Sequence, residues 1–288
     1  MPAIATIGFF DGVHHGHQYL FSQLHKFAEQ YDERPLIFSF LQHPRSVLGN
    51  SCPPLLTTLD EREQLLGQYG DVHFFDFAEV QPLTARQFMD YLVDRWKVRH
   101  LLMGYNHRFG SDNPLTYEQY TTIAQGVGIH IVRAQPYYEG DSKPSSTYLR
   151  NLLAQGNLQD ANNLLGYEYM LTGRVVHGKM IGRQIGFPTA NIVPATDKLI
   201  PAAGVYKVLA SSQPSAISNQ PALVNIGTNP TVGNSHQTIE VHIPGYEGDL
   251  YNQMLTLRFC RRLRGEQRFP SLQALQAQIT TDLASLND

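Results

Sequence analysis

The chain changes rhythm near its middle. Its first half alternates short apolar runs with helix-period segments. "AIATIGFF" leads into "HQYLFSQLHKFAEQY", where Leu20, Leu24, Phe27, Ala28 and Tyr31 share one helical face. "PLIFSFL" and "VHFFDF" follow as buried strands, then "TARQFMDYLVDRWK", a helix with Phe88, Leu92 and Trp96 along one stripe. "HLLMGYN" predicts a strand, "PLTYEQYTTIAQGVG" a helix ending in glycine, and "IHIVRAQ" another strand. Buried strands separated by amphipathic helices predict a doubly wound, Rossmann-like parallel sheet. Ligands of such sheets sit at the carboxyl ends of the strands, where "GFFDGVHHGH" lies.

Past two short helical stretches, "STYLRNLLAQG" and "LQDANNLLG", the helices stop. "GRVVHG", "GVYKVLASS", "PALVNIG", "TIEVHI" and "LTLRFCRRLR" are β-rich and punctuated by Gly, Pro and Asn. Strands joined by turns alone predict a small antiparallel β-barrel. A helical period returns only in "SLQALQAQITTDLASL", with Leu272, Leu275, Ile279 and Leu283 on one face. The fold class is therefore α/β plus β. The boundary is expected near Gly166–Met170, dividing the chain into 1–167 and 168–288. "SSQPSAISNQP" is expected to be an exposed hairpin loop of the barrel.

With 288 residues, 42% hydrophobic and 10% aromatic, the chain has the material for two cores. A formal net charge of -3 argues against binding duplex nucleic acid, which calls for a basic surplus. Cys52 and Cys260 lie far apart with no C-x-x-C pattern, as in a reducing cytoplasm. No signal segment opens the chain and no apolar run approaches the ~20 residues of a membrane span. A soluble cytoplasmic protein is expected, with neither membrane nor nucleic acid as partner.

The glycine–histidine stretch admits three readings. His14 and His17 could share a metal, but no Cys stands near and the glutamate of H-E-x-x-H is absent. A glycine turn with surface histidines is the plain alternative. The third is a phosphate cradle: Gly8 and Gly12 turn the chain, Gly16 lets backbone approach a ligand, and the helix N-terminus attracts an anion. Two imidazoles there can donate to triphosphate oxygens. Strand, turn, H-x-G-H and helix resemble nucleotidylyltransferases and class I aminoacyl-tRNA synthetases, though no K-M-S-K-S-like segment supports the latter. A second element, "KPSSTYLR", offers Ser145, Ser146 and Thr147 as helix caps and Arg150 one turn along. By itself it would be a capped helix with a solvated arginine.

"GFFDGVHHGH", "GYNHRFG" and "SSTYLR", followed by "GRQIGFPTANI", "GVYKV", "NIGTNPT" and "IEVHI", resemble the bacterial bifunctional riboflavin kinase/FMN adenylyltransferase, or FAD synthetase, family. The motifs stand in the family's order over nearly the whole chain. The resemblance implies that the N-terminal half makes FAD and pyrophosphate from FMN and ATP. There His14, Gly16 and His17 match the ATP-phosphate motif, with Gly8 and Phe9 at the strand end. Ser145, Ser146, Thr147 and Arg150 match the second motif. His14, His17 and Arg150, with Mg²⁺, would neutralise charge as an FMN phosphate oxygen attacks the α-phosphorus.

The C-terminal half, by the same resemblance, makes FMN and ADP from riboflavin and ATP. Thr189 and Asn191 match the magnesium-site residues, neutral hard ligands suited to Mg²⁺ already carried by phosphates. Gly178, Gly182 and Arg183 belong to the glycine-rich flap that contacts ATP. Glu240 matches the base that takes the ribityl hydroxyl's proton. An outward residue on an alternating strand fits Glu240 equally well, so this role rests on the resemblance. Arg264 and Glu266 match a segment approaching the flavin, and a solvated charge cluster competes.

Some positions depart from the pattern. Asn106 and His107 stand where Asp and Phe are usual, so Asn106 is expected to hydrogen-bond FMN rather than act as a charged ligand. Pro144 replaces isoleucine before "SST". The chain starts only a few residues before its first motif strand, where the family carries a longer lead. Two alternatives to a two-site enzyme are a kinase whose N-terminal half only holds nucleotide, and a flavin carrier without turnover. H-x-G-H, T-A-N and Glu240 favour the enzyme, because a carrier needs neither imidazoles on phosphate nor a base.

Overall fold

The structure, a computed structural model, describes residues 1–49, 51–104, 107–138, 144–178, 182, 186–213, 217–231 and 234–286. Packing divides the chain into two units: Met1–Pro53 with Leu59–Ser146, and Pro54–Thr58 with Thr147–Asp288.

The first unit runs β1 (Ala3–Ile7), α1 (His15–Tyr31), β2 (Arg34–Phe40), α2 (Pro44–Val47), α3 (Leu59–Leu66), β3 (Asp71–Phe75), α4 (Phe77–Val80), α5 (Ala85–Trp96), β4 (Val98–Met103), α6 (Tyr117–Gln125) and β5 (His130–Arg133). Its strands form one parallel sheet in the order β3-β2-β1-β4-β5. All five residues of β1 are buried, as a strand covered on both faces must be. Thr84 and Thr116 start α5 and α6 with full capping boxes. Leu36, Phe38, Phe88, Leu92 and Leu101 share the core. The α1 face is turned slightly from its predicted position: Phe21, Gln23, Leu24 and Ala28 are its buried residues. Gln23 tolerates burial because its amide bonds both the N–H and the carbonyl of Gln135. The winding reverses between β1 and β4, which opens a crevice at their carboxyl ends.

The second unit begins with α7 (Ser146–Gln155, whose first residue packs with the first unit) and α8 (Leu158–Leu165). β6 (Tyr169–Val176), β7 (Ala190–Pro194), β8 (Gly204–Gln213), β9 (Gln220–Thr231), β10 (Asn234–His242) and β11 (Met254–Arg264) follow, then α9 (Leu272–Ala284). The strands close an antiparallel barrel in the order β10-β7-β6-β11-β8-β9. Gln213 ends β8 and Gln220 starts β9, so the predicted hairpin loop is shorter than "SSQPSAISNQP".

Packing groups the chain differently from a boundary at 167/168. Leu149, Leu152, Leu153, Leu158 and Leu165 are buried in one core with Leu171, Val208 and Phe259 of the barrel. The apolar faces of α7 and α8 therefore close the barrel. Leu55 and Leu56 join from the first half: Leu55 exchanges backbone bonds with Asp197 and Leu199, and the buried Lys198 ammonium donates to the Leu56 carbonyl at 2.5 Å. The apolar face of α9 is covered unevenly, with Leu283 packed against Val205, Leu223 and Leu286. Leu272 is 58% exposed, and the buried residue of the helix is Asp282. Among the described residues no helix is long and apolar enough to cross a membrane.

Candidate active sites

The crevice of the first unit is built by the loop from β1 to α1. Phe10, Gly12 and Val13 there have φ of 54°, 80° and 37°. Gly12 adopts this freely, whereas each of the other two costs roughly 1–3 kcal/mol of backbone strain. Bonds hold the loop: Val13 N–H to the Phe10 carbonyl, the Gln18 amide to the Val13 carbonyl at 2.8 Å, and the Ser146 hydroxyl to the Asp11 carbonyl at 2.9 Å. The outcome places His14 at the start of α1, whose first turn carries neither a side-chain cap nor an acidic residue.

His14 and His17 stack with centroids 3.8 Å apart and planes 19° off parallel. A Cβ at Gly16 would lie 3.2 Å from the His14 ring, so glycine permits this approach. The Nδ1 atoms of both rings are buried without a hydrogen-bond partner. Burial pushes His14 down to about 4 against the pull of Asp11. Burial, then the neighbouring His14 and His107, holds His17 well below its ordinary value. Burial takes His107 to about 4, and its Nδ1 accepts the Gly104 N–H at 3.0 Å. The rings are thus neutral at pH 7, with two orphaned nitrogens, each a loss of ~1–3 kcal/mol, and both residues line a cleft of about 320 Å³. Tyr137 and Pro144 complete its wall. Such a site fits the oxygens of an anion.

A second cleft of about 480 Å³ shares Gly8, Phe9 and His107 with the first. Phe40, Phe77, Phe88 and Phe109 line it, an aromatic slot suited to a flat ring system. Phe9 is the partition, and the fully buried Arg62 guanidinium stands 4.0 Å behind its ring.

Of the remaining predicted residues in this half, Ser145 and Ser146 lie directly before and at the start of α7, the latter tied to the histidine loop. Thr147 and Arg150 belong by packing to the second unit, where the Arg150 Nε donates to the Pro54 carbonyl at 2.7 Å. Asn106 lies outside the described residues.

The barrel carries its clefts on its outer surface. Glu240 on β10 is the register partner of Asn191 on β7 and of Asn225 on β9. Because side chains alternate along strands, these three polar residues form a row facing away from the core, while Ile239 and Val241 fill it. Glu240 is nonetheless half-buried, because it lies in the wall of a cleft of about 390 Å³. Thr189, Asn225, His242, Arg264, Glu266, Phe269, Leu275 and Ile279 are in its lining. Another cleft of about 340 Å³, formed by Pro188, Ala190 and the 246–251 loop, meets the first at Thr189. The His242 Nδ1–H donates to the Pro188 carbonyl at 2.8 Å, which pins the E-V-H strand to P-T-A-N.

A Cβ at Gly178 would overlap the Asn191 amide, and one at Gly182 would stand 3.2 Å from the Thr189 hydroxyl. The two glycines thus close over the side chains of Asn191 and Thr189, which offer an amide oxygen and a hydroxyl. All-oxygen donors of this kind fit Mg²⁺ held jointly with phosphates. Among the described residues no group of three His, Cys, Asp or Glu could hold a metal. Arg183 lies outside the described residues.

Arg264 is no solvated charge. Its side chain is 15% exposed and it pairs with Asp282 at 2.8 Å in the wall of the Glu240 cleft. Asn225, Phe269 and Asp282 escaped the reading of the sequence, as did the aromatic slot. Only Asn225 had an available signal, since it falls on the same outward alternation as Glu240.

The FAD synthetase family profile matches residues 1–148 and the riboflavin kinase profile residues 165–288. A bifunctional riboflavin kinase/FMN adenylyltransferase of Escherichia coli K12 is 36% identical over 97% of this chain and 90% of its own length. Those of Pseudomonas fluorescens and Bacillus subtilis are 35% and 31% identical, over 98% and 97% of this chain and 91% and 90% of theirs. A solved structure described as a macrolide-efflux protein of Streptococcus pneumoniae superposes with a TM-score of 0.89 at 28% identity, covering 100% of this chain and 94% of that one.

Proposed function

The chain belongs to the bifunctional riboflavin kinase/FMN adenylyltransferase family, and we propose how its clefts divide the two reactions. Residues 168–288 carry the kinase and 1–167 the adenylyltransferase. In the barrel, riboflavin lies in the cleft under Phe269 and ATP in the one beside Pro188. Their reacting ends meet at Thr189. Glu240 accepts the proton of the ribityl hydroxyl, whose oxygen bonds to the γ-phosphorus while ADP leaves. Thr189 and Asn191 would hold Mg²⁺, which supplies charge neutralisation on the phosphates when bound. Gly178, Gly182 and Arg183 contact the ATP phosphates.

In the first unit, FMN places its ring in the aromatic slot and its phosphate toward the histidines, with Asn106 hydrogen-bonding it. A phosphate oxygen bonds to the α-phosphorus of ATP, and pyrophosphate leaves. His14 and His17 stabilise the charge on the phosphates by N–H donation, with Gly8, Phe9 and Gly16 allowing close approach. Ser145, Ser146, Thr147 and Arg150 contribute to ATP binding. We place both reactions in the cytoplasm, a setting supported by two cysteines that lie far apart in the chain and outside any C-x-x-C pattern.

The observation that carries this reading is the meeting of two clefts at Thr189, in reach of the Asn191–Glu240–Asn225 row. Incubation with riboflavin, ATP and MgCl₂ should give FMN and then FAD, and EDTA should abolish both. FMN formation that persists when Thr189 and Glu240 are both replaced by Ala would move the kinase site elsewhere.

A further inference from the structure

Helix α9 buries its acid and leaves its apolar stripe half-open. Asp282 is 6% exposed, while Leu275 and Ile279, on the same stripe, are only partly covered and line the Glu240 cleft. Burying a carboxylate is costly, and a well-packed apolar residue would serve stability as well or better. The use of the acid is visible in its partner. Asp282 takes Arg264 in a fork, Nε at 3.0 Å and Nη2 at 2.8 Å, and the Gln278 amide donates to its other oxygen at 2.9 Å. Nη1 donates to the Gly265 carbonyl, and the guanidinium stands 5.6 Å from the Phe269 ring centroid.

A guanidinium has five N–H donors. Three are engaged here, two by Asp282 and one by Gly265, which leaves one on each terminal nitrogen. Flavin rings present a carbonyl oxygen beside a ring nitrogen on their pyrimidine side, a pair of adjacent acceptors that such a fork matches. The benzenoid side of the ring is apolar, as are Leu275 and Ile279.

We propose that Asp282 is a positioning residue for riboflavin: α9 uses it to lock the Arg264 fork against the pyrimidine edge, while its apolar stripe covers the ring. This rests on the assignment of the Glu240 cleft to the flavin. The contact is made equally in ground and transition states, so its loss appears in affinity rather than turnover.

The test is kinase kinetics and riboflavin fluorescence titration on the full chain. Asp282→Asn keeps the size and loses the charge that orients the fork. It should raise the riboflavin KM and Kd about tenfold, the scale of one charge-assisted hydrogen bond, with kcat within about twofold and the ATP KM unchanged. Arg264→Ala should weaken riboflavin at least as much, and the double variant should add little to either single change. Ile279→Glu separates the cleft assignment from the positioning role. If it raises the riboflavin KM and Asp282→Asn does not, the positioning role is overturned while the cleft assignment stands. If neither changes it, the cleft does not hold the flavin. Should Asp282→Asn fail to fold, Gln278→Leu removes the second bond to the carboxylate. A roughly threefold rise in riboflavin KM supports the proposal, and an unchanged KM overturns it.

Discussion

In the histidine cleft the polar groups are two stacked imidazoles with buried, orphaned nitrogens on a strained loop. In the barrel cleft they are a carboxylate and two amides set side by side by strand register. The first arrangement is kept neutral by burial, and on the proposed assignment a ligand's charge completes it. The second sets the half-buried Glu240, the proposed base, in a row fixed by strand register. Adenylyl transfer from a phosphate oxygen needs no base, because the nucleophile is already anionic, whereas phosphorylation of a neutral hydroxyl does. The proposed assignment matches the difference between the clefts to that difference between the nucleophiles.

The hardest test of this contrast is Glu240→Gln, which keeps the shape and removes most of the basicity. Kinase turnover should fall by about 10²–10⁴-fold, the usual share of acid–base catalysis, with riboflavin and ATP affinities little changed. Given FMN instead, the variant should make FAD at the normal rate. Near-normal phosphorylation of riboflavin would remove the base from the mechanism.

His17→Ala makes the reciprocal cut. FAD formation should drop by roughly 10²–10³-fold, the scale for losing one preorganised donor, while FMN formation stays within a few-fold of normal. Equal loss of both activities in a folded protein would erase the distinction between the clefts.

Gly178→Ala is subtler, since the new methyl would displace the Asn191 amide beside the proposed phosphate contact. The Mg²⁺ titration of the kinase should shift to higher concentration by several-fold, with FMN adenylylation unaffected. A rise in the ATP KM with an unmoved Mg²⁺ titration would mean that Asn191 does not serve the metal.

The smallest effect is on stability. His14 titrates near 4 when folded against an ordinary 6.5, so the unfolded chain binds more protons between those values. The stability from burying the neutral ring is complete above pH 6.5 and is lost as pH falls toward 4. His14→Asn should therefore flatten the fall in Tm over that window relative to the parent. Identical slopes would show that the ring is not held neutral by the fold.

Much of this was legible before any coordinate, because period and turn chemistry are local. The apolar runs from Ala3 to Ile7 and from Leu36 to Phe38 could only be covered strands. Gly12 marks a positive φ that the turn requires. The α9 stripe has a genuine period whose cover the sequence does not show: Leu283 packs against Val205 and Leu223, Leu275 and Ile279 border a cleft, and Asp282 lies inside to meet Arg264. For α7 and α8 the helices themselves were evident. Amphipathicity says that a face must be buried but not against which neighbour, and the barrel end took it.

Glu240 shows where the line falls. Alternation along "TIEVHI" determines that its side chain leaves the barrel core, since Ile239 and Val241 take the inside. It does not determine what waits outside. That was decided by Thr189 from β7's approach, by Asn225 one strand away, and by Phe269 and α9, which fold back from the end of the chain to roof the strand. The order of strands and helices, the motifs and the pairing of two domains are properties of local sequence. The clefts, the neutral histidines and the Arg264–Asp282 pair arise from contacts between residues distant in the chain, which no period records.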